Sequence, residues 1–188
     1  MEILQRVLAL VIGYFCGCFV TGYFYGKSQK VDIRTMGSGN AGTTNTLRNL
    51  GWKAGAVTFL GDCFKCVLAI CLVRVLFRKD GADMLKLLEL YAGFGAILGH
   101  NFPFYLKFKG GKGIAVSFGS LLGLIPMWYP VLSLAVCFLF FSLVIQISPN
   151  FYRTVAVYIV NWLIIVFSET NLPKAVHIGV GLISLLIL

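Results

Sequence analysis

Charged side chains are scarce in this sequence. Asp, Glu, Lys and Arg make up 12% of its 188 residues, against about 25% in a soluble globular domain. So few could not cover a water-facing surface, which excludes a soluble fold. Acid is scarcer still, with 7 Asp and Glu against 16 Lys and Arg and a formal net charge of +9. The six cysteines (Cys16, Cys18, Cys63, Cys66, Cys71 and Cys137) all sit in apolar runs. Cys63 and Cys66 form one Cys-x-x-Cys, but no second ligand pair stands in a loop to complete a zinc site. The cysteines read as small hydrophobes packed between helices, so no metal, disulfide framework or cofactor is expected. No Walker A loop is present: that pattern needs glycine where Leu106 stands and Ser or Thr where Gly113 stands. No Ser-His-Asp triad, internal repeat or low-complexity stretch is visible either.

What is abundant is hydrocarbon. Hydrophobic residues make up 59% of the chain, in runs near the roughly 20 residues that a membrane-spanning helix needs. The runs predict an all-α polytopic membrane protein, one domain over 1–188, with about seven spans: 3–25, 54–77, 84–102, 114–127, 129–147, 152–168 and 172–188. The weakest break is at 125–130, where Pro126 and Pro130 flank interface-loving aromatics, and six spans plus a partial helix is the alternative count. Residues 3–25 are too long for a signal-peptide core and lead into no small-residue cleavage site, so they are expected to be retained. The first, third and fifth loops carry Lys27, Lys30, Arg34, Arg48, Lys53, Lys107, Lys109, Lys112 and Arg153, whereas the second, fourth and sixth carry Arg78, Lys79, Lys86 and Lys174. That bias predicts a cell-membrane protein with its N-terminus outside and the first and third loops in the cytoplasm.

Those two loops hold most of the polar chemistry. The first reads Gly37-Ser38-Gly39-Asn40-Ala41-Gly42-Thr43-Thr44-Asn45-Thr46-Leu47-Arg48. Its glycines lead to a predicted helix over Thr43–Leu50 that stops at Gly51, with Ser38 or Asn40 as N-cap. A glycine-rich approach to a helix N-terminus offers unpaired N–H groups to an anion. Asn40, Thr44 and Arg48 recur every four residues and are expected on one helical face, presenting an amide, a hydroxyl and a guanidinium that can fork onto phosphate. The competing reading is an ordinary capped re-entry helix.

The second loop runs from Gly99-His100-Asn101-Phe102-Pro103 through Lys107-Phe108-Lys109 to Gly110-Gly111-Lys112-Gly113 and then enters an apolar helix. Lys107 and Lys109 fit either a ligand or snorkelling toward headgroups. Lys112, confined by glycines, has no long apolar surface to lie along. His100 fits a proton-transfer group or a cap on the last carbonyls of its span, with the structural role favoured. Inside the second span, Asp62 and Lys65 stand three residues apart and are expected to neutralise each other, facing the bundle interior. Glu89, near the start of the third span, is expected at the interface with no special role.

Together the two loops resemble one family, the bacterial integral-membrane glycerol-3-phosphate acyltransferases that use acyl-phosphate. The likeness covers roughly residues 1–120 and includes Gly61-Asp62-Cys63-Phe64-Lys65, although Cys66 stands where the family has glycine. The resemblance implies a seven-helix fold with two cytoplasmic glycine-rich re-entry loops. It also implies transfer of an acyl group from acyl-phosphate to the sn-1 hydroxyl of glycerol 3-phosphate, giving lysophosphatidic acid and phosphate, with membrane lipid as the surroundings and no obligate protein partner. It assigns Ser38, Arg48 and Lys112 to catalysis. Gly39, Asn40, Gly42, Thr44, His100, Lys107, Gly110 and Gly111 would bind the substrates. An acyl-phosphate is already activated, so positioning two anions and stabilising the departing phosphate can suffice.

The last third departs from the pattern. Thr154-Val155-Ala156-Val157 occupies the place of a Ser-Leu-Ala-Ser-like stretch and keeps one hydroxyl. The family's terminal His-x-x-Asn element has no counterpart before Leu188, since Val180 stands three residues after His177. Two expectations follow: a truncated enzyme, or a divergent relative that binds a phosphorylated ligand or regulates lipid synthesis without turnover. A transporter would place its site near mid-membrane, whereas both loops fall on one predicted side.

Overall fold

The computed structural model describes residues 2–123 and short helical pieces at 136–137, 155–157, 159–161 and 163–164. Apart from those pieces, the spans expected at 129–147, 152–168 and 172–188 and the turn at 125–130 lie outside the described residues, as do Thr154, His177 and Val180. Among the described residues every regular element is helical and no strand occurs. The helices are α1 (Glu2–Cys18), α2 (Thr21–Ser28), α3 (Thr43–Leu50), α4 (Trp52–Leu76), α5 (Ala82–Asn101) and α6 (Ile114–Gly123).

The order of side chains along α4 shows what solvent it is built for. Its buried face carries Ala54, Thr58, Asp62, Lys65, Ala69 and Val73. Its exposed face carries Val57, Leu60, Phe64, Leu68, Leu72 and Val75. A soluble helix has the opposite arrangement, polar outside and apolar inside. Polar groups turned inward and Leu and Phe turned outward suit hydrocarbon. At 25 residues α4 is long enough, about 37 Å at 1.5 Å per residue, to cross a bilayer core. It and the stretch Glu2–Ser28 are both long and apolar enough to span.

The first span is not the continuous helix expected over 3–25. It breaks at Phe19–Val20 between α1 and α2, with no proline to signal it. Broken backbone groups inside a membrane must find partners within the protein, and here side chains supply them. Tyr105 Oη donates to Cys18 O at 2.8 Å, Lys65 Nζ donates to Phe19 O at 2.8 Å, and Asp62 Oδ1 accepts from Thr21 N at 3.4 Å. The partners come from α4 and the second glycine loop, which is why the break is invisible locally.

Small residues set the packing. A Cβ on Gly13 would collide with the Ala92 carbonyl and one on Gly17 with the Ala96 carbonyl. Reciprocally, Gly95 lies against Leu10 O and Gly99 against Tyr14 O. Backbone-to-backbone contact through small residues four apart is how membrane helices gain dispersion without a hydrophobic drive between them. Positions rise together along both helices, so α1 and α5 run parallel. In the same way Gly119 meets the Cys63 backbone and Gly123 meets Ile70, so α4 and α6 run parallel. Parallel pairs α1/α5 and α4/α6 send both glycine-rich loops to one end of the bundle.

At the other end, Arg74 forks onto Glu89, with Nε to Oε1 at 2.6 Å and Nη2 to Oε2 at 3.1 Å. Its Nη2 also donates to Gly123 O at 2.9 Å. Glu89, expected at the interface without a role, is therefore 95% buried as the anchor of a three-helix clamp, at 5% exposure.

Gly13→Leu forces a side chain into the Ala92 carbonyl and is expected to cost about 1–3 kcal/mol or more, read as a lowered unfolding midpoint in detergent. Gly81→Ala, whose added methyl would meet nothing within 4 Å, should leave the midpoint unchanged. Equal midpoints for the two variants would mean that α1 and α5 are not held by this contact.

Candidate functional site

The first loop is organised by a residue that sequence reading passed over. Asn45, 4% exposed in the first turn of α3, joins the loop before it to the next turn of its own helix. Its Nδ2 donates to Ile33 O and Met36 O, both at 3.0 Å. Its Oδ1 accepts from Ser38 N at 3.0 Å and from Asn49 Nδ2 at 2.9 Å. Gly37 (φ +55°) lies directly on Asn45 Oδ1 and Asn49 Nδ2, and Gly39 has φ +72°. Any side chain at Gly37 would displace the organising amides. Its position seven residues after Ser38 was the available signal, but amide side chains are common in loops and the pattern named no partner.

The N-cap of α3 is Gly42, with no side-chain cap, and not Ser38 or Asn40. Asn40 stands before the helix and closes a local turn, its Oδ1 accepting from Gly42 N at 2.9 Å. It therefore does not share a helical face with Thr44 and Arg48. Those two, one turn apart, are both exposed. With no capping side chain, the first N–H groups of α3 remain open, as at any helix start. Gly42 supplies only its carbonyl, which accepts from Thr46 N and Thr46 Oγ1, both at 3.2 Å.

Arg34 is already engaged. Its Nε and Nη2 reach Asp32 Oδ1 and Oδ2 at 3.1 and 2.8 Å, and its guanidinium lies 4.9 Å over the Tyr23 ring. The guanidinium hydrogen bonds hold the Asp32 carboxyl below its ordinary range. Nη1 of the same residue reaches Leu106 O at 3.4 Å, which ties the first loop to the second. Buried Val20, Ile33, Ala41 and Leu106 pack beneath this tie.

In the second loop the glycines serve contact with protein. Gly110 N donates to Asn101 O and Gly111 N to His100 O, both at 3.0 Å. A Cβ on Gly110 would strike His100 O and one on Gly111 would strike His100 Nε2. Expected as amides for an anion, these two N–H groups are taken by the end of α5. Lys107 and Phe108 adopt left-handed backbone at φ 55° and 59°, a conformation that costs a bulky L residue. Lys107, Lys109 and Lys112 are all exposed. Among the described residues, Ser38 Oγ, Thr44, Arg48 and Lys112 form no side-chain hydrogen bond or ion pair.

His100, expected beside the substrates or as a cap, is 2% exposed. Its Nδ1 lies 2.8 Å from Lys65 Nζ and 3.7 Å from Asp62 Oδ1. Lys65 and Asp62 pair at 2.9 Å in the bundle interior, as expected of a mutual pair. The sequence offered His100 no partner, because its partner is thirty-five positions away on another helix.

The arrangement thus offers open helix N–H groups and exposed, uncommitted cations at one end of an apolar bundle. Known proteins resemble this chain in both sequence and structure. The sequence model of a family described as glycerol-3-phosphate acyltransferase matches residues 7–188. A glycerol-3-phosphate acyltransferase of Clostridioides difficile (strain 630) is 44% identical over 153 residues, 79% of this chain and 70% of that protein. One of Thermoanaerobacter pseudethanolicus is 43% identical over 125 residues, 66% of this chain and 60% of that protein. The chain thus spans between three fifths and seven tenths of these relatives' lengths. A crystal structure of PlsY (YgiH), an integral membrane glycerol 3-phosphate acyltransferase in its glycerol 3-phosphate form, superposes with a TM-score of 0.78 at 26% identity, over 97% of this chain and 86% of that one.

Removing the Asn45 amide leaves the buried Ile33 carbonyl and three less buried partners unmet, so Asn45→Ala is expected to lower stability by roughly 2–4 kcal/mol. Arg48→Ala, which breaks no contact, should leave it within about 0.5 kcal/mol. Thermal unfolding of the two variants in one detergent checks both.

Proposed function

The chain belongs to the glycerol-3-phosphate acyltransferase family, and on that premise we propose that it transfers an acyl group from acyl-phosphate to the sn-1 hydroxyl of glycerol 3-phosphate. The products are lysophosphatidic acid and inorganic phosphate. The hydroxyl oxygen attacks the acyl carbon, the bond from that carbon to the phosphate oxygen breaks, and the hydroxyl proton passes to the departing phosphate. No side-chain base is needed, because the leaving group accepts the proton itself.

The observation that carries this reading is the division of the cations. Arg34 is spent on Asp32 and the loop tie, whereas Arg48 and Lys112 are exposed and unpaired. A fork-shaped guanidinium suits bidentate phosphate contact, and a lysine suits a point of concentrated negative charge. Arg48 with Thr44, Ser38 and the open N–H groups of α3 would hold one phosphate. Asn40, Gly39 and Gly42 would shape that half. Lys112, set by Gly110 and Gly111, would stabilise the other phosphate, with Lys107 near the rim and His100 beneath the turn. The lysine and arginine bias among the loops supports placing both in the cytoplasm, with the N-terminus outside a cell membrane.

In membranes supplied with acyl-phosphate and labelled glycerol 3-phosphate, Arg48→Ala and Lys112→Ala are each expected to lower turnover by about a hundredfold or more, with the unfolding midpoint kept. Wild-type-like activity in both would remove them from the site. The divergent, non-turning relative is favoured by Thr154-Val155-Ala156-Val157, which keeps a single hydroxyl. Binding of both ligands by the wild-type protein without product would select it.

A further inference from the structure

The proposed transfer leaves one buried ionisable cluster unused. Lys65 is 5% exposed, Asp62 0% and His100 2%. A lysine ammonium carries three protons and can accept none. Three acceptors surround Lys65 Nζ: Phe19 O at 2.8 Å, Asp62 Oδ1 at 2.9 Å and His100 Nδ1 at 2.8 Å. With Lys65 charged against the Asp62 carboxylate, each takes one proton and His100 Nδ1 holds a lone pair. The imidazole proton then resides on Nε2.

That nitrogen lies under Gly111, where a Cβ would overlap it. The main chain of the same histidine accepts Gly111 N at 3.0 Å. Side chain and carbonyl of His100 therefore bracket one glycine of the turn that ends in Lys112. The opposite tautomer would aim an N–H at an ammonium 2.8 Å away. A doubly protonated ring would leave a net positive charge among three buried groups, which a low-dielectric interior penalises. Asp62 Oδ1 also accepts from Thr21 Oγ1 at 3.0 Å, so the pair is itself anchored to the break in the first span.

We propose that Asp62 and Lys65 form a tautomer lock: they hold His100 neutral with its proton on Nε2, and through it they set the Gly110–Gly113 turn that presents Lys112. Lys65 and His100 are positioning residues, not groups that touch substrate. The role assigned to the turn rests on the acyl-transfer reading, whereas the lock itself does not.

The test is nitrogen-15 NMR of the full-length protein in lipid, labelled at histidine, with His177→Gln to identify the His100 signals. The lock predicts one proton-bearing nitrogen, Nε2, and one bare nitrogen, Nδ1. A proton on Nδ1, or on both nitrogens, overturns it, whatever any variant does. Lys65→Met should mix the tautomers and lower kcat about tenfold to a hundredfold, in line with displacement of a site group by about an ångström. His100→Gln, whose amide reaches the Nε2 position, should keep most of the wild-type kcat, whereas His100→Asn should not. Equal kcat in these two variants would show that nothing at the Nε2 position matters to the turn. Wild-type protein with the Nε2 proton but no acyl transfer would discard the enzymatic reading and leave the lock standing. Active protein with the proton on Nδ1 would do the reverse.

Discussion

In hydrocarbon, a polar group without a partner costs several kcal/mol, and the arrangement of this bundle follows from meeting that demand at Lys65. Its ammonium is the point where three elements meet: the break between α1 and α2 through Phe19 O, α4 through Asp62, and the end of α5 through His100. None of the three could keep its conformation alone. The break exposes carbonyls, the carboxylate needs a counter-charge, and the imidazole needs a donor. One cation serves all three, and the net charge of the group is zero when the imidazole is neutral. A buried pair of this kind adds little stability relative to apolar packing. Its value here is specificity of geometry, since alternative registers of α4 would strand at least one of the groups.

Glycine has two separate uses along the same chain, and they are easily confused in sequence. Gly13, Gly17, Gly95 and Gly99 carry backbones into contact between α1 and α5. Gly37, Gly39 and Gly113 adopt positive φ where a loop turns. Gly110 and Gly111 look like a phosphate cradle, yet their amides are bound to the end of α5. They bring the second loop down onto His100 and leave Lys112 as its projecting charge. Amide donors open to an anion stand at the uncapped start of α3, after the first loop.

Much of this was legible in the chain itself. The helix Thr43–Leu50 and its stop at Gly51 follow from local residues, and the structure has those bounds. The second span was expected at 54–77 and runs Trp52–Leu76; the third was expected at 84–102 and runs Ala82–Asn101. The interior Asp62–Lys65 pair also followed, because i, i+3 spacing and the cost of lone charge in a bilayer leave little choice. What was not legible depends on partners far away in sequence. The break at Phe19–Val20 is held by Lys65 and Tyr105. The place of His100 depends on a lysine thirty-five positions earlier. The Arg74–Glu89 clamp joins two helices across a loop. Periodicity reports which face of a helix is apolar; it carries no information on which polar group of another helix will meet it. Asn45 is an intermediate case, since its partners Ser38 and Met36 are near in sequence but its role depends on the loop's fold.

The contrast between Arg34 and Arg48 shows how the bundle separates cations bound into its scaffold from cations left open at its end. Both lie in the first glycine-rich stretch or the turn before it, and only Arg34 lies over an aromatic ring, that of Tyr23. Arg34 has a carboxylate two residues before it, and the pair closes on itself and on Leu106 O. Arg48 has no acid within reach in sequence: from Gly37 to Lys53 there is no Asp or Glu at all. The same is true from His100 through Lys112. Both free cations thus stand within long acid-free stretches, 33–61 and 90–168. A carboxylate there would neutralise Arg48 or Lys112 in the absence of ligand and would repel a phosphate in its presence. Leaving those cations unpaired in water at the bundle's end costs little, because exposed charges are well solvated. The favourable electrostatic energy is then available to an incoming anion, while the buried Lys65 and the half-exposed Arg74 are each paired with a carboxylate of the protein.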